Sequence, residues 1–183
     1  RVEGNDKKTI DDDYEVVGEI CMKNNALDVL VADTKEDQQR VWEGRSCIIE
    51  AAKAEGFVEV LDCVVPRSQI PDLIKGLNNI AKKYAVECQN FGHAGDGNVH
   101  TNVLKKDMSN EEWKEKIPKL IEEVYKLSIS LNGTISGEHG IGLIRKRFLP
   151  MAIDEKQIEI MKEIKRVFDP NNILNPGKIF DID

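Results

Sequence analysis

The 183-residue chain carries 33 acidic and 26 basic side chains, for a net charge of −7, so it has the size of one domain with a genuine apolar core and is too short for a complete multidomain cofactor enzyme. Lacking a basic stripe or run, it is a poor match for nucleic acid or an anionic membrane. No apolar stretch approaches a transmembrane span, Arg1 to Asp6 are too polar for a signal peptide, and Cys21, Cys47, Cys63 and Cys88 form no C-x-x-C pair, so a reducing cytoplasm is the default and neither a disulfide framework nor a thiolate zinc site is expected.

The chain opens on Arg-Val-Glu-Gly, which reads as the end of a strand running into a turn, with no initiating Met; a fragment with a clipped first strand is expected. Ile10, Tyr14, Val17 and Cys21 then recur at helical spacing over residues 10 to 24, behind Thr9 as a cap, with Asp11 to Asp13 as a solvated first turn. A short strand is predicted at Leu27 to Ala32, a helix over residues 37 to 54 stopped at Gly56, and a strand from Phe57 to Val65 closed by Pro66. Ser68 opens a helix with Ile70, Leu73, Ile74, Leu77, Ile80 and Ala81 on one face, followed by strands at Ala85 to Gly92 and Val99 to Leu104. Ser109 and Glu112 form a capping box for a long helix bearing Trp113, Leu120, Ile121 and Val124, which Pro118 should kink or split and Asn132-Gly133 should end. Asp154 with Gln157 caps a last helix carrying Ile158, Met161, Ile164 and Phe168. This order predicts a single α+β domain over residues 1 to 183, a ferredoxin-like antiparallel sheet with helices on one face plus additional C-terminal helices.

Chemistry concentrates in the glycine-rich segments. The three histidines, His93, His100 and His139, all lie there, and seven of the thirteen glycines fall within residues 92 to 97 and 133 to 142. In Gly92-His93-Ala94-Gly95-Asp96-Gly97-Asn98-Val99-His100 a Gly/Asp/Asn turn reverses the chain, so His93 and His100 return within reach of each other, with Asp96 either a partner supporting a ligand or, the favoured reading given Gly on both sides, the turn residue. Side chains alternate along the outgoing strand, which puts His100 and Asn102 on one face and Val99, Thr101 and Val103 on the other. In the second segment, Gly137-Glu138-His139-Gly140, adjacent extended residues diverge, so Glu138 and His139 take separate tasks. His93, His100 and Glu138 together offer two imidazoles and a carboxylate, a set suited to Zn²⁺, Fe²⁺ or Mn²⁺ with open positions, and His139 is left as a general base. Arg45 has apolar helical neighbours in Val41, Trp42, Ile48 and Ile49, which predicts a guanidinium within a buried stripe. Its partner is then either a buried Asp or Glu or a substrate carboxylate.

Three motifs carry a resemblance. Gly92 to His100, Gly137-Glu138-His139-Gly140-Ile141-Gly142, and Phe168-Asp169-Pro170-Asn171-Asn172-Ile173-Leu174-Asn175-Pro176-Gly177-Lys178 resemble successive signatures of the FAD-linked 2-hydroxy acid dehydrogenases. These form the glycolate oxidase and D-lactate dehydrogenase group of the vanillyl-alcohol oxidase superfamily, and Trp42-Glu43-Gly44-Arg45 is similar to its tryptophan-to-arginine helix motif. The likeness is to the C-terminal, substrate-capping part, without the domain that cradles the FAD pyrophosphate. It implies that His93, His100 and Glu138 hold a divalent metal, that His139 takes the hydroxyl proton, that Arg45 clamps the substrate carboxylate, that Asn102 helps hold a small 2-hydroxy acid, and that Asn175 lies by the flavin ring. It also implies FAD bound mainly by the absent domain, with an electron-transfer flavoprotein or iron–sulfur subunit as a further partner. A stand-alone metal-binding or regulatory module and a non-haem iron oxygenase are the rival readings, and neither needs the Asn175 to Lys178 ending.

Overall fold

The computed structural model describes residues 2–56 and 58–182, and the chain divides into two compact units, Arg1–Ile48 and Ile49–Asp183. In the first unit, α1 (Lys7–Lys23) is capped by Asp6, whose carboxylate accepts from the Thr9 amide at 2.9 Å. The cap is therefore Asp6 and not Thr9, and Asp11 to Asp13 fall in the second helical turn. Helix α2 (Lys35–Ser46) starts at Thr34, whose hydroxyl accepts from the Asp37 amide, and neither α1 nor α2 contains a buried residue. The strand predicted at Leu27 to Ala32 is absent: these residues carry no regular structure and join no ladder, because the described residues of this unit contain no second strand to pair with them. The helix predicted over residues 37 to 54 is two helices, α2 and α3 (Ile48–Ala54), divided at Cys47.

The second unit is built on a split β-α-β arrangement. Strand β1 (Val58–Val64) leads through a short 3₁₀ turn into α4 (Ile70–Tyr84), then β2 (Glu87–His93), and a tight turn returns the chain as β3 (Asn98–Leu104). Phe57, the predicted first residue of β1, lies outside the described residues. The order is β1-β3-β2 with both pairings antiparallel, so β1 and β2 run parallel to each other with β3 between them. Asp62 pairs with His100, and His100 in turn with Phe91.

Alternation along the strands divides the sheet into two chemistries. Leu61, Cys63, Val99 and Val103 join the core with Leu73 and Leu77 of α4 and with Trp113, Leu120, Ile121, Val124 and Tyr125 of α5 (Asn110–Ser130). Asp62, His100 and Asn102 belong to the opposite face. Helix α5 begins with the predicted capping box at Ser109 and Glu112, but Pro118 does not split it. Buried side chains on both sides of the proline, Trp113 before it and Leu120, Ile121 and Val124 after it, hold the two halves in one helix despite the lost amide.

One 3₁₀ turn (Lys146–Phe148) leads to α6 (Leu149–Ala152) and then α7 (Glu155–Phe168), which has the predicted Asp154–Gln157 capping box. The apolar face of α7 does not enter the core: no residue of this helix is buried, and Ile164 and Phe168 are exposed. Beyond it, Asp169 anchors the chain. It accepts from the Ile173 and Leu174 amides at 2.9 Å each and from Lys165 at 2.6 Å. Among the described residues no helix is long and apolar enough to cross a membrane.

The Lys165 ammonium and these amide donors hold the Asp169 carboxyl below its usual 3.8. A carboxyl depressed on folding stabilises above its unfolded pKa, and that contribution disappears as pH falls through the folded value. Hydrogen exchange at Ile173 and Leu174, corrected for intrinsic rates, is thus expected to accelerate once pH drops below about 3.8, and at neutral pH in Asp169→Asn. Unchanged protection in both cases would remove Asp169 as the anchor.

Candidate functional site

Three segments converge on the polar face of the sheet: the centre of β1, the β2–β3 turn with the start of β3, and the loop after α5. In the turn, residues Ala94–Asp96 form one 3₁₀ turn and Gly97 follows at φ +77°, where a Cβ would lie 2.0 Å from the Val65 carbonyl oxygen. Glycine is therefore required for the reversal that brings His93 and His100 together, their ring centroids 5.5 Å apart and nearly perpendicular. Asp96 is an exposed member of this turn, as predicted.

The loop after α5 lies along the outer edge of β1. Thr134 bridges to Val64 and Ser136 to Asp62, while the Ser128 hydroxyl donates to the Thr134 carbonyl at 2.8 Å. Gly137 passes so close to the hairpin that a Cβ would meet the Asn98 amide nitrogen at 2.0 Å. Farther on, buried Arg145 donates to the carbonyls of Gly140 at 3.1 Å and Val60 at 3.2 Å, tying the end of the loop to β1.

Asp62 organises this assembly. It has no solvent exposure, and its Oδ2 accepts from the amides of Gly137 and Glu138 at 2.9 Å, from His139 at 2.8 Å and from the Ser136 hydroxyl at 3.1 Å. Its Oδ1 accepts from the Asn98 side chain at 2.8 Å. Burial pushes the Asp62 carboxyl up, but the donors from His139, Asn98 and Glu138 outweigh it and hold the group well below the usual carboxylate range. Asp62, Asn98, Ser136 and Arg145 escaped the sequence reading. The one visible signal was a lone carboxylate in the apolar run Val60-Leu61-Asp62-Cys63-Val64.

Residues 137–139 form a bend, where the sequence suggests extended chain, and from it Glu138 and His139 both reach His100, one with its carboxylate and the other with its ring. Glu138 Oε1 lies 3.0 Å from His100 Nε2 and 3.5 Å from His93 Nε2. The His139 ring stacks on His100, centroids 4.9 Å apart and 12° from parallel, with Nδ1 4.0 Å from Asp62. His93, His100 and Glu138 thus present three ligand atoms within 4.8 Å of one another, and so do Asp62, His100 and His139. The two sets differ in what their oxygens already do. Asp62 is sealed from solvent with Oδ2 filled by four protein donors and Oδ1 already accepting from Asn98, whereas the Glu138 carboxylate is half exposed and free to ligate. Burial pushes the His100 imidazole toward its neutral form, although the Asp62 carboxylate favours the charged one, and a neutral ring is what coordination requires. The donor set fits a cation at His93, His100 and Glu138.

Asn102 lies two residues beyond His100 on the same face of β3. It is fully buried, and neither atom of its amide has a hydrogen-bond partner among the described residues. A buried amide without a partner is costly, so the position favours a polar ligand. Asn175 is elsewhere in this unit, exposed at φ 48° in a turn that also contains Asn172 at 49° and Gly177 at 71°.

Arg45 belongs to α2 of the first unit, and there the expectation of a buried cation is corrected. Val41, Trp42 and Ile48 are exposed, as is Arg45, and its guanidinium lies over the Trp42 ring, 5.4 Å from the centroid. The apolar neighbours read from spacing do not form a buried stripe in this unit, so no buried Asp or Glu is needed to neutralise the arginine. The side chain of Ile49 lies outside the described ones.

Comparison with known proteins adds a second line of observation. A family model described as "FAD linked oxidases, C-terminal domain" matches residues 1–179. The chain is 38% identical over 174 residues to the glycolate oxidase subunit GlcD of Bacillus subtilis, covering 94% of this chain and 37% of that protein. It is 40% identical over 168 residues to a D-lactate dehydrogenase of Archaeoglobus fulgidus, covering 92% and 37%. With a D-2-hydroxyglutarate dehydrogenase of Stutzerimonas stutzeri it shares 34% identity over 166 residues, covering 88% and 36%. The chain spans little more than a third of the length of these relatives.

Proposed function

The chain belongs to the FAD-linked oxidases, as their C-terminal domain, and from that membership we propose that it supplies the metal site, general base and carboxylate clamp of an enzyme oxidising a small 2-hydroxy acid of the glycolate or D-lactate type to the 2-oxo acid. The observation that carries this reading is the convergence of His93 and His100 Nε2 on Glu138, with His139 stacked alongside. His93, His100 and Glu138 hold a divalent cation, Zn²⁺, Mn²⁺ or Fe²⁺, in the two-imidazole, one-carboxylate set that leaves positions open. Bound there, the cation would polarise the substrate hydroxyl, and FAD, held mainly by regions of the full-length protein outside this chain, would supply the hydride acceptor for C2.

The protein side of the reaction follows from the residues. His139 removes the hydroxyl proton as the C2–H pair leaves and the C=O bond forms. Its exposed ring has solvent access through which that proton can be released. Asn102 offers one donor and one acceptor to the substrate in an otherwise dry position. Arg45 clamps the substrate carboxylate, a role consistent with a guanidinium that no ion pair among the described residues engages. Asn175 sits by the flavin ring. An electron-transfer flavoprotein or iron–sulfur subunit receives the electrons afterwards. Four free thiols fit a reducing cytoplasm.

The test is anaerobic reduction of bound flavin by D-lactate or glycolate in the full-length protein. The reading expects the flavin to bleach with substrate. It further expects Arg45→Lys, which keeps the charge but loses the two-pronged fork, to lower kcat/KM without shifting the unfolding midpoint. A flavin that neither 2-hydroxy acid reduces would reject it.

A further inference from the structure

His100 presents a carboxylate oxygen to each of its ring nitrogens. Nδ1 lies 3.5 Å from Asp62 Oδ1, and Nε2 lies 3.0 Å from Glu138 Oε1. A neutral imidazole has a single proton, so one of these approaches sets a lone pair against an oxygen unless a cation stands there. Nδ1 is buried and makes no hydrogen bond of ordinary geometry, with Asp62 or otherwise, so among the described residues no other group competes with Asp62 for its proton.

The two carboxylates are not equivalent. Glu138 is half exposed and its charge can be solvated, while Asp62 is sealed from water and immobilised by five donated hydrogen bonds. Four of those donors converge on Oδ2. Oδ1 takes only the Asn98 amide and keeps a lone pair on the side of His100. A proton on Nδ1 satisfies a buried oxygen that cannot turn away, whereas a proton on Nε2 would serve an oxygen that water can serve equally well.

We propose that Asp62 is the positioning residue of this centre, holding His100 as its Nδ1–H tautomer so that the Nε2 lone pair faces His93 and Glu138, ready for a divalent cation. The proposal deepens the metal reading above and rests on it for its purpose, though not for its measurement. Asp62 touches neither substrate nor cation, and acts through His100. It does not set the tautomer of His139, whose Nδ1 is 4.0 Å from the already filled Oδ2.

Asp62→Asn separates this role from a purely structural one. The four donors at the Oδ2 position demand the amide oxygen there, which places the amide NH₂ where Oδ1 was, opposite His100 Nδ1. Asn98 can accommodate the change by turning its own amide, because its Oδ1 is unpartnered. His100 then meets a donor at Nδ1, so its proton moves to Nε2 and closes the nitrogen that faces the cation.

The experiment is a long-range ¹H–¹⁵N correlation spectrum of the histidine rings in the metal-free 183-residue chain, at a pH where the imidazoles are neutral. In the wild type, His100 should show a protonated Nδ1 and a bare Nε2. In Asp62→Asn the pattern should reverse for His100 and stay unchanged for His139, with the backbone amides of Gly137 to His139 still folded. Zinc affinity should fall by roughly 10- to 100-fold in the variant, the usual cost of losing such a partner. A wild-type His100 protonated at Nε2 would overturn the proposal, and so would a folded variant with an unaltered tautomer. If the variant fails to fold, the wild-type spectrum decides alone. Zinc that binds neither protein would count against the metal site itself, while the metal-free spectra still decide the tautomer.

Discussion

Asp62→Ala should destabilise the second unit by about 3 to 5 kcal/mol, the order of loss when a buried charged hydrogen-bond network is broken. Removing the carboxylate leaves the Glu138 and His139 amides, the Ser136 hydroxyl and the Asn98 amide without their acceptor in one stroke, and the Gly137 amide with the Asp62 backbone carbonyl alone at 3.2 Å. Each unsatisfied buried donor alone costs about 1 to 3 kcal/mol. The deficit stays below their sum because water can enter from the half-exposed Glu138 side. Asp62→Asn retains an oxygen for the Oδ2 donors and should lose much less. Urea denaturation reads both variants, and an Asp62→Ala midpoint equal to the wild type would mean that the loop is held by other contacts.

The second large effect is kinetic. In the full-length enzyme, His139→Asn is expected to lower the rate of flavin reduction by about 10²- to 10⁴-fold, the span for a missing general acid or base. It should do so without loss of metal, since His139 lies outside the His93, His100 and Glu138 set and Asn can preserve part of the contact with the His100 ring. Flavin reduction followed by stopped flow, with metal content measured on the same sample, checks both halves. Lost metal with retained turnover would exchange the roles and make His139 a ligand.

Parts of the candidate site are legible in the sequence because each lies within a short window, although only the fold brings His93 and His100 to Glu138 and His139. The His93 to His100 reversal is encoded by Gly97 and the turn around it, whereas Glu138 and His139 lie in a bend, so strand alternation does not account for their separate contacts with His100. The capping boxes at Ser109 and Asp154 fixed the starts of α5 and α7. Asp62 was hidden because its role comes from strand pairing across 36 to 77 residues of sequence separation, and no short window contains its partners. Arg45 failed for the opposite reason. Helical spacing shows which side chains share a face but not whether anything covers that face, and in the described unit nothing buries Val41 or Trp42. The strand at Leu27 to Ala32 and the apolar face of α7 are the same case: both patterns are present, and the packing partner that would turn pattern into ladder or core is not within their described surroundings.

The proposed metal site at His93, His100 and Glu138 is read most directly from metal content by mass spectrometry after the purified chain is equilibrated with Zn²⁺ or Mn²⁺ and desalted. About one equivalent per chain is expected for the wild type, near zero for the His93→Ala, His100→Ala, Glu138→Ala triple variant, and retention in His139→Asn. A triple variant that holds as much metal as the wild type would contradict it.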